Sequence, residues 1–465
     1  MEWARTKIVA TIGPATAEPR ILRRLIASGL NVARLNFSHG TPAEHKILAK
    51  NIRAAAKAEG RLVAILQDLQ GPKIRVDQVP VTGRILKEGE KVTLVSHAPK
   101  EDDLCIAYGG LSRDLQVGHR VFIDDGLIML EVTSVRMGRV HAVVRQAGTV
   151  MPNKGVNLPD SDLKLAELTS KDREDVLTGL AIGVEWVCVS FVSGPEPVQE
   201  LRALLGREAR RLGTVPPRVM VKIERQAALQ RLPEILGVAD GVLFGRGDLG
   251  VEVPPEEVPV IQKQVIQACR MVGVPVIVAT HMLESMRQSP RATRAEYSDV
   301  ATAVFEGADA VMLSAETATG RYPVAAVQAM TAVIREAEGS HLAEPAMPHD
   351  DLSEATALAE SLRLLADGGQ LGAVVVDGAA EGLIRAIAHL RLPLPLFITH
   401  SAARRAVAEG LRYGAVPLVV DHGSATWKAR ALQLVKESKI APKGLLVAVL
   451  EQAPHRTTLE LLPRP

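Results

Sequence analysis

Two carboxylates and a lysine stand where apolar runs give out. The run RVMVKIE, residues 218 to 224, ends on Lys222 and Glu224, and Asp248 follows directly on DGVLFGRG, 240 to 247. Residues two apart on a strand share a face, so Lys222 and Glu224 point the same way. A pair of carboxylates with few other ligands suits a hard divalent cation such as Mg2+, which keeps waters and takes oxygens from a substrate; a structural ion pair is the plainer alternative. Gly245, Gly247 and Gly250 crowd around Asp248, a density that permits tight turns and close approach of a ligand to the backbone. A buried lysine is costly without a role or a partner. Together with Arg34, Arg75 and a metal, Lys222 gathers positive charge for a small, multiply anionic substrate, as phosphoryl transfer requires.

The elements that must position these groups are short β-rich runs at 6–13, 31–38, 62–69, 185–192, 218–224, 240–247, 275–281 and 309–316, most of them separated by segments of helical period. Eight βα units are the count of a TIM (β/α)8 barrel, whose working residues sit at the carboxyl ends of the strands. The run ends supply Asn36 and Ser38, Asp68, Lys222 and Glu224, Asp248, Thr280, and Ser314 with Glu316. One such group is an ordinary strand cap; their recurrence on a single rim reads as a site. In LQDLQGPKIRV, 66 to 76, Asp68, Lys73 and Arg75 fall close together on the same principle.

The expected architecture is α/β. The barrel takes 1–71 and 156–338. An inserted all-β lid takes 72–155, where strand and turn patterns alternate through GRILKEGEKVTLVSH and HRVFIDDGLIMLEVTSV, and a structureless loop of that length would be unusual. After the linker SHLAEPAMPHDD, strands at 372–377, 394–400, 415–421 and 445–451 give an open α/β domain over 339–465. With 55 basic against 53 acidic residues, charge gives no basis for a nucleic-acid or membrane partner, and the basic cluster REARRLG, 207 to 213, reads as a solvated helix face. Cys105, Cys188 and Cys269 are too scattered for a disulfide framework or structural zinc, no apolar run approaches the ~20 residues of a membrane span, and MEWARTKIVATIG lacks a signal-peptide layout. A cytoplasmic protein is expected.

The strings TKIVATIGPAT, NVARLNFSHG, GPKIR, NKGVNLP, VKIE, RGDLGVE, ATHMLESM, RATRAE and MLSAETA resemble, in order and spacing, the motifs of the pyruvate kinase family over essentially the whole chain. The resemblance implies a TIM barrel with a lid and a carboxyl-terminal regulatory domain, and phosphoryl transfer from phosphoenolpyruvate to ADP giving pyruvate and ATP. It implies Arg34 on the substrate phosphate, Mg2+ (or Mn2+) on Glu224 and Asp248, Lys222 on the phosphoryl group in flight, and the backbone of Gly247 and Asp248, with Thr280, on the carboxylate. Asn36, His39, Arg75 and Lys154 correspond to the nucleotide side, where a second Mg2+ arrives with ADP. Protonation of enolpyruvate falls to a hydroxyl and water network at Thr280, Ser314 and Glu316. This chain departs from common forms of the motifs with His281 and Ala315. A homotetramer is implied as well.

Many relatives hold K+ with residues matching Asn36, Ser38 and Asp68 and carry Glu where this chain has Lys73; Leu69, Gln70 and Val76 fit the subgroup with Lys. The ammonium of Lys73 is expected to fill the electrostatic role of K+ beside Asp68, so that K+ is not required. In the carboxyl-terminal domain DGAAEGLIR, 377 to 385, lacks hydroxyls and carries Asp377 and Glu381, which argues against a fructose 1,6-bisphosphate effector there. Arg404 and Arg405 in HSAARR, 400 to 405, are the candidate contacts for another phosphorylated effector. An aldolase or carboxylase of the phosphoenolpyruvate/pyruvate barrel group is the runner-up; it has no need of an ADP site under a lid. A catalytically inactive scaffold ranks lower, because every charged group expected at the site is present.

Overall fold

The structure, a computed structural model, describes all residues except 1–2, 101, 162, 164–165, 167, 341, 343–352, 423, 425, 454–455 and 464–465. Most of the expected linker therefore lies outside the described residues. Eight parallel strands close into a barrel: β1 (Lys7–Thr11), β2 (Leu30–Asn36), β3 (Ala64–Asp68), β4 (Trp186–Val189), β5 (Arg218–Ile223), β6 (Gly241–Gly245), β7 (Val276–Ala279) and β8 (Ala310–Leu313). Each strand is rich in Val, Ile and Leu because both of its faces are covered, one by the barrel interior and one by helices. Three of the helices start with a capping box, Thr41 with Glu44, Thr169 with Asp172, and Thr293 with Glu296. The RATRAE string is thus in part a helix start signal.

Two expected runs turn into helix before they end. The run 240–247 leaves its strand at Gly245, and Arg246–Glu252 is a short helix; the run 309–316 ends at Leu313 and turns into the helix Ala315–Ala318. None of Gly245, Gly247 and Gly250 has a positive φ. What they supply is close approach: a Cβ on Gly245 would stand 2.8 Å from Glu224 Cγ, and one on Gly247 would stand 2.8 Å from Thr280 Cγ2.

Between β3 and β4 the insert forms a seven-stranded sheet and a two-stranded ribbon, Arg84–Leu86 with Gly148–Val150, around a core that includes Leu94, Leu104, Val121 and Leu130. Its end strands, Val76–Asp77 and Val156–Asn157, are drawn together where Arg75 bridges Gly155; the Val76 N–H donates to Lys154 O at 2.8 Å and the Val156 N–H to Ile74 O at 3.0 Å. One helical turn, Leu111–Asp114, interrupts the β structure.

The carboxyl-terminal sheet has five strands in the order Ala415–Val419, Leu396–His400, Leu371–Asp377, Leu446–Ala453, Arg456–Pro463. The first four are parallel; the last runs antiparallel and was absent from the four strands expected. This domain plugs the amino-terminal mouth of the barrel. Val407, Ala408 and Leu411 join one apolar cluster with Val9, Leu66, Trp186, Met220 and Ile277 from inside the barrel. Around the plug, Trp186 Nε1 donates to Ala408 O at 3.1 Å and Lys7 Nζ to Ala415 O at 2.8 Å. Glu409, fully buried, is paired with Arg218 of the barrel, with Arg412 at 3.0 Å and with His400 at 3.3 Å. The REARRLG cluster lies in the helix Glu196–Leu212, with exposed Arg207 and Arg211 both on Glu208.

Candidate active site

At the opposite, carboxyl-terminal mouth, neighbouring strands carry alternating charge. Arg34 on β2 donates through Nε to Asp68 Oδ2 at 2.7 Å and through Nη1 to Thr11 Oγ1 at 2.8 Å. Asp68, at the end of β3, lies 3.9 Å from Lys222 Nζ, and Lys222 in turn reaches Glu224 Oε1 at 2.6 Å. Lys73, from the turn that leads into the lid, places Nζ 3.9 Å from Asp248 Oδ1. Three cations therefore face three carboxylates, and four of these six groups are held largely out of water.

Burial fixes the protonation behaviour. It opposes the charge on Lys222, but the carboxylates of Asp68, Glu224 and Asp248 outweigh it and hold the ammonium well above the usual lysine range. Burial likewise pushes Asp68 up, and Lys222 and Arg34 more than reverse it, so Asp68 stays an anion. Glu224 goes the other way: burial, reinforced by the Asp248 charge and only partly offset by Lys222, pushes its carboxyl up to about 7. A buried carboxylate beside a half-buried one is stabilised by a cation that both can share, so the donor set of Glu224 and Asp248 fits a hard divalent ion completed by substrate and water oxygens. Among the described residues no group of three or more His, Cys, Asp or Glu is placed to hold a metal by itself.

Sequence reasoning passed over three features here. Phe191, just past β4, has φ 57°; its N–H donates to Glu224 Oε2 at 3.2 Å, and its ring lies 5.9 Å from both Lys222 Nζ and the Arg225 guanidinium. Thr280 and His281, past β7, have φ values of 78° and 55°. Left-handed backbone at consecutive non-glycine residues costs of order 1–3 kcal/mol each and persists only where the surroundings impose it. Arg246 supplies that constraint, donating to Thr280 O at 2.6 Å and Ala279 O at 3.2 Å. The RGD string contained this residue; nothing in its spacing marked what the guanidinium would grip.

A family model described as pyruvate kinase, barrel domain, matches residues 3–327. The chain belongs to the pyruvate kinase family. It is 40% identical to a pyruvate kinase of Agrobacterium vitis over 96% of this chain and 93% of that one. It is 45% identical to a pyruvate kinase of Sporosarcina psychrophila over 342 residues, where it spans 57% of that relative's length. The crystal structure of a pyruvate kinase from Cryptosporidium parvum superposes with a TM-score of 0.91 at 30% identity, covering 99% of this chain and 96% of that one.

The structure brings together Arg34, Asp68, Lys222, Glu224, Asp248 and Lys73, but it pairs Lys73 differently from the pyruvate kinase reading. The ammonium sits on Asp248, while the partners of Asp68 are Arg34, Lys222 and Ser190. Asn36 and Ser38 stand together at the end of β2, the Asn36 side chain accepting from the Ser38 N–H at 3.1 Å. Glu316 does not face the rim. It is fully buried, and its two oxygens take the N–H groups of Leu283 at 3.1 Å and Ser314 at 2.7 Å. Burial raises its pKa and those N–H groups limit the rise. It holds the loops after β7 and β8 in place and leaves Thr280 and Ser314 as the hydroxyls nearer the mouth.

Of the residues expected on the nucleotide side, Arg75 and Lys154 meet where the lid joins the barrel, Arg75 donating to Asn153 O at 2.8 Å and Lys154 paired with Asp124 at 2.8 Å. His39, exposed, follows the end of β2. The lid hairpin comes down on the helix Arg246–Glu252: a Cβ on Gly126 would stand 3.6 Å from Val251. A crevice lined by Lys73, Asn157, Phe191, Arg225, Asp248 and Glu252 runs between them. Arg404, a candidate effector contact, is committed elsewhere, donating to Val184 O at 2.8 Å and Val215 O at 2.6 Å and so tying the plug to the barrel. Glu381 is likewise engaged, accepting from Arg412 at 2.7 Å and Arg385 at 3.2 Å.

Proposed function

We propose that the chain transfers the phosphoryl group of phosphoenolpyruvate to ADP, giving pyruvate and ATP. The single observation that carries the mechanism is Lys222, a buried ammonium set among Asp68, Glu224 and Asp248 and beside Arg34. The cluster is close to neutral by itself, so a divalent cation and a polyanionic substrate can enter together without leaving a large net charge in a dry cavity. Glu224 and Asp248 would hold Mg2+, with Mn2+ able to replace it, and the ion when bound would draw electron density from substrate oxygens. A terminal ADP oxygen attacks phosphorus, the bond from phosphorus to the C2 oxygen breaks, and Lys222 and Arg34 stabilise the charge on the oxygens of the group in transit. The C2 oxygen keeps the electron pair of the broken bond, and the enolate left behind becomes pyruvate as C3 takes up one proton near Thr280 and Ser314.

Arg75 and Lys154 suit the phosphates of ADP, arriving from the lid; Asn36 and His39 complete that side. The ammonium of Lys73 stands where added positive charge is useful, and activity without K+ follows from it. The pairing of Glu381 and Arg404 within the fold speaks against effector binding by either; Arg405, exposed, keeps a phosphorylated effector open. A homotetramer in the cytoplasm completes the family reading. The test is ATP formation from phosphoenolpyruvate and ADP with Mg2+. In Lys222→Met, kcat should fall by roughly a hundred- to a thousandfold, as for loss of one preorganised charge stabiliser, with a much smaller change in KM for phosphoenolpyruvate. Turnover near that of the parent would remove Lys222 from the mechanism.

A further inference from the structure

We propose that Arg246 is a positioning residue for the carbon-protonation step, holding Thr280 in a left-handed conformation that aims its hydroxyl at the reacting enolpyruvate; this rests on the function proposed above. Arg246 opens the helix Arg246–Glu252 with a side chain only 14% exposed. Its planar fork is spent on the segment after β7: Nε on Ala279 O at 3.2 Å, and Nη2 on Thr280 O at 2.6 Å and Met282 Sδ at 2.8 Å. Nη1 is anchored by Asp299 at 2.6 Å and lies 3.4 Å from Gln262 Oε1. A lysine cannot reproduce such a grip, because an ammonium lacks the fixed geometry of the fork.

Thr280 is β-branched, the residue type least at ease with a φ of 78°. Left to itself the segment would relax toward an extended conformation and the hydroxyl would swing away. Two further constraints agree with Arg246. Gly247 has no Cβ, and the space that atom would fill lies 2.8 Å from Thr280 Cγ2 but 3.8 Å from its Oγ1, so the methyl is seated on Gly247 and the hydroxyl stands off it. From the other side, buried Glu316 fixes the Leu283 N–H at 3.1 Å. The segment is gripped at both ends with Thr280 between them. In the protonation step the Thr280 hydroxyl gives its proton to C3 of the enolate as the C2 carbonyl forms, and the hydroxyl is restored by a proton drawn from solvent water.

The experiment separates carbon protonation from phosphoryl transfer. Exchange of pyruvate methyl protons with deuterated water, in the presence of Mg2+ and ATP, is followed by NMR, and single-turnover ATP formation from phosphoenolpyruvate and ADP by rapid quench. In Arg246→Lys, methyl exchange should fall by about a hundredfold, the loss that a displacement of about 1 Å causes at a reacting group. Single-turnover ATP formation and KM for ADP should stay within about threefold of the parent. Exchange at the parent rate, or exchange and ATP formation falling by one common factor, overturns the proposal. If Arg246→Lys does not fold, Asp299→Asn carries the same comparison, since it loosens the anchor of Nη1 and keeps the guanidinium; unchanged exchange in that variant likewise overturns it. A parent that makes no ATP defeats the proposed function instead, and methyl exchange, which needs no ADP, still compares parent with variant.

Discussion

Glu409 is the anion on which the junction between the barrel and the carboxyl-terminal domain turns. Burial alone would push its carboxyl up; Arg218, His400 and Arg412 overcome that and hold it down at about 2, against an ordinary value near 4.5. A depression of that size corresponds to about 3 kcal/mol favouring the folded state, using about 1.4 kcal/mol per pH unit. The sign follows from proton uptake. Below pH 4.5 the unfolded chain binds the proton first, so the contribution is complete above pH 4.5 and is lost as pH falls toward 2. At pH 7 Glu409→Gln should lower stability by a similar amount, about 3 kcal/mol, because the buried guanidinium of Arg412 loses one of its two paired carboxylates and keeps Glu381 at 2.7 Å. The assay is urea unfolding followed by tryptophan fluorescence. Trp186 reports the junction directly, since its indole N–H is bonded to Ala408 O and its ring lies 5.8 Å from the Arg218 guanidinium. The variant should unfold at lower urea at pH 7 and lose less stability than the parent on acidification toward pH 3. A midpoint equal to that of the parent at pH 7, with equal acid sensitivity, would refute the assignment of this stability to Glu409.

Lys73→Glu should create a K+ requirement that the parent lacks, measured as turnover with all alkali cations replaced by tetramethylammonium; a parent that needs K+ would refute the role given to Lys73, whose charge 3.9 Å from Asp248 is worth on the order of 4 kcal/mol at an effective dielectric of 20. Lys7 is buried at the junction, and burial, partly offset by Glu338 and Asp309, lowers its pKa to about 7. Between pH 7 and its ordinary 10.5 the unfolded chain holds this proton and the folded chain does not, so the cost of burying Lys7 is complete below pH 7 and fades as pH rises. Lys7→Met should therefore raise the urea midpoint at pH 6, with a gain that shrinks toward pH 10; a gain independent of pH would assign the effect to packing instead.

The barrel and the membership of the mouth cluster were legible because strand ends can be counted from apolar runs, and a parallel barrel puts those ends on one face. Asp68 and Arg34 could be placed on one rim on that basis, since β2 and β3 are adjacent strands; their ion pair could not be read. Nor could the pairing of Lys73. Its partner depends on where the turn into the lid seats its ammonium, and that is a property of packing between distant segments. The burial of Glu316 was hidden for a related reason: its place after a strand does not show the two N–H groups that enclose it. The left-handed backbone of Phe191, Thr280 and His281 left no mark, because no sequence signal announces it at residues other than glycine. The plug was hidden in AVAEGL, which reads as an unremarkable helix. Its apolar side chains find their partners inside a barrel built from residues hundreds of positions earlier.

The plug also sets an order in time. The last strand of the barrel is complete at Leu313, yet the apolar layer at the amino-terminal mouth is covered only when Val407, Ala408 and Leu411 arrive. A ribosome adding about 5–20 residues per second takes on the order of 5 to 20 seconds over that interval. Throughout it the nascent chain carries a closed ring of strands with an open, greasy floor, lined by Trp186, Met220 and Ile277. A message truncated after the helix Pro323–Gly339 would release that floor permanently to the solvent, so a catalytic barrel made without its partner domain should be a client of chaperones and proteases even though every residue of its reaction centre is present.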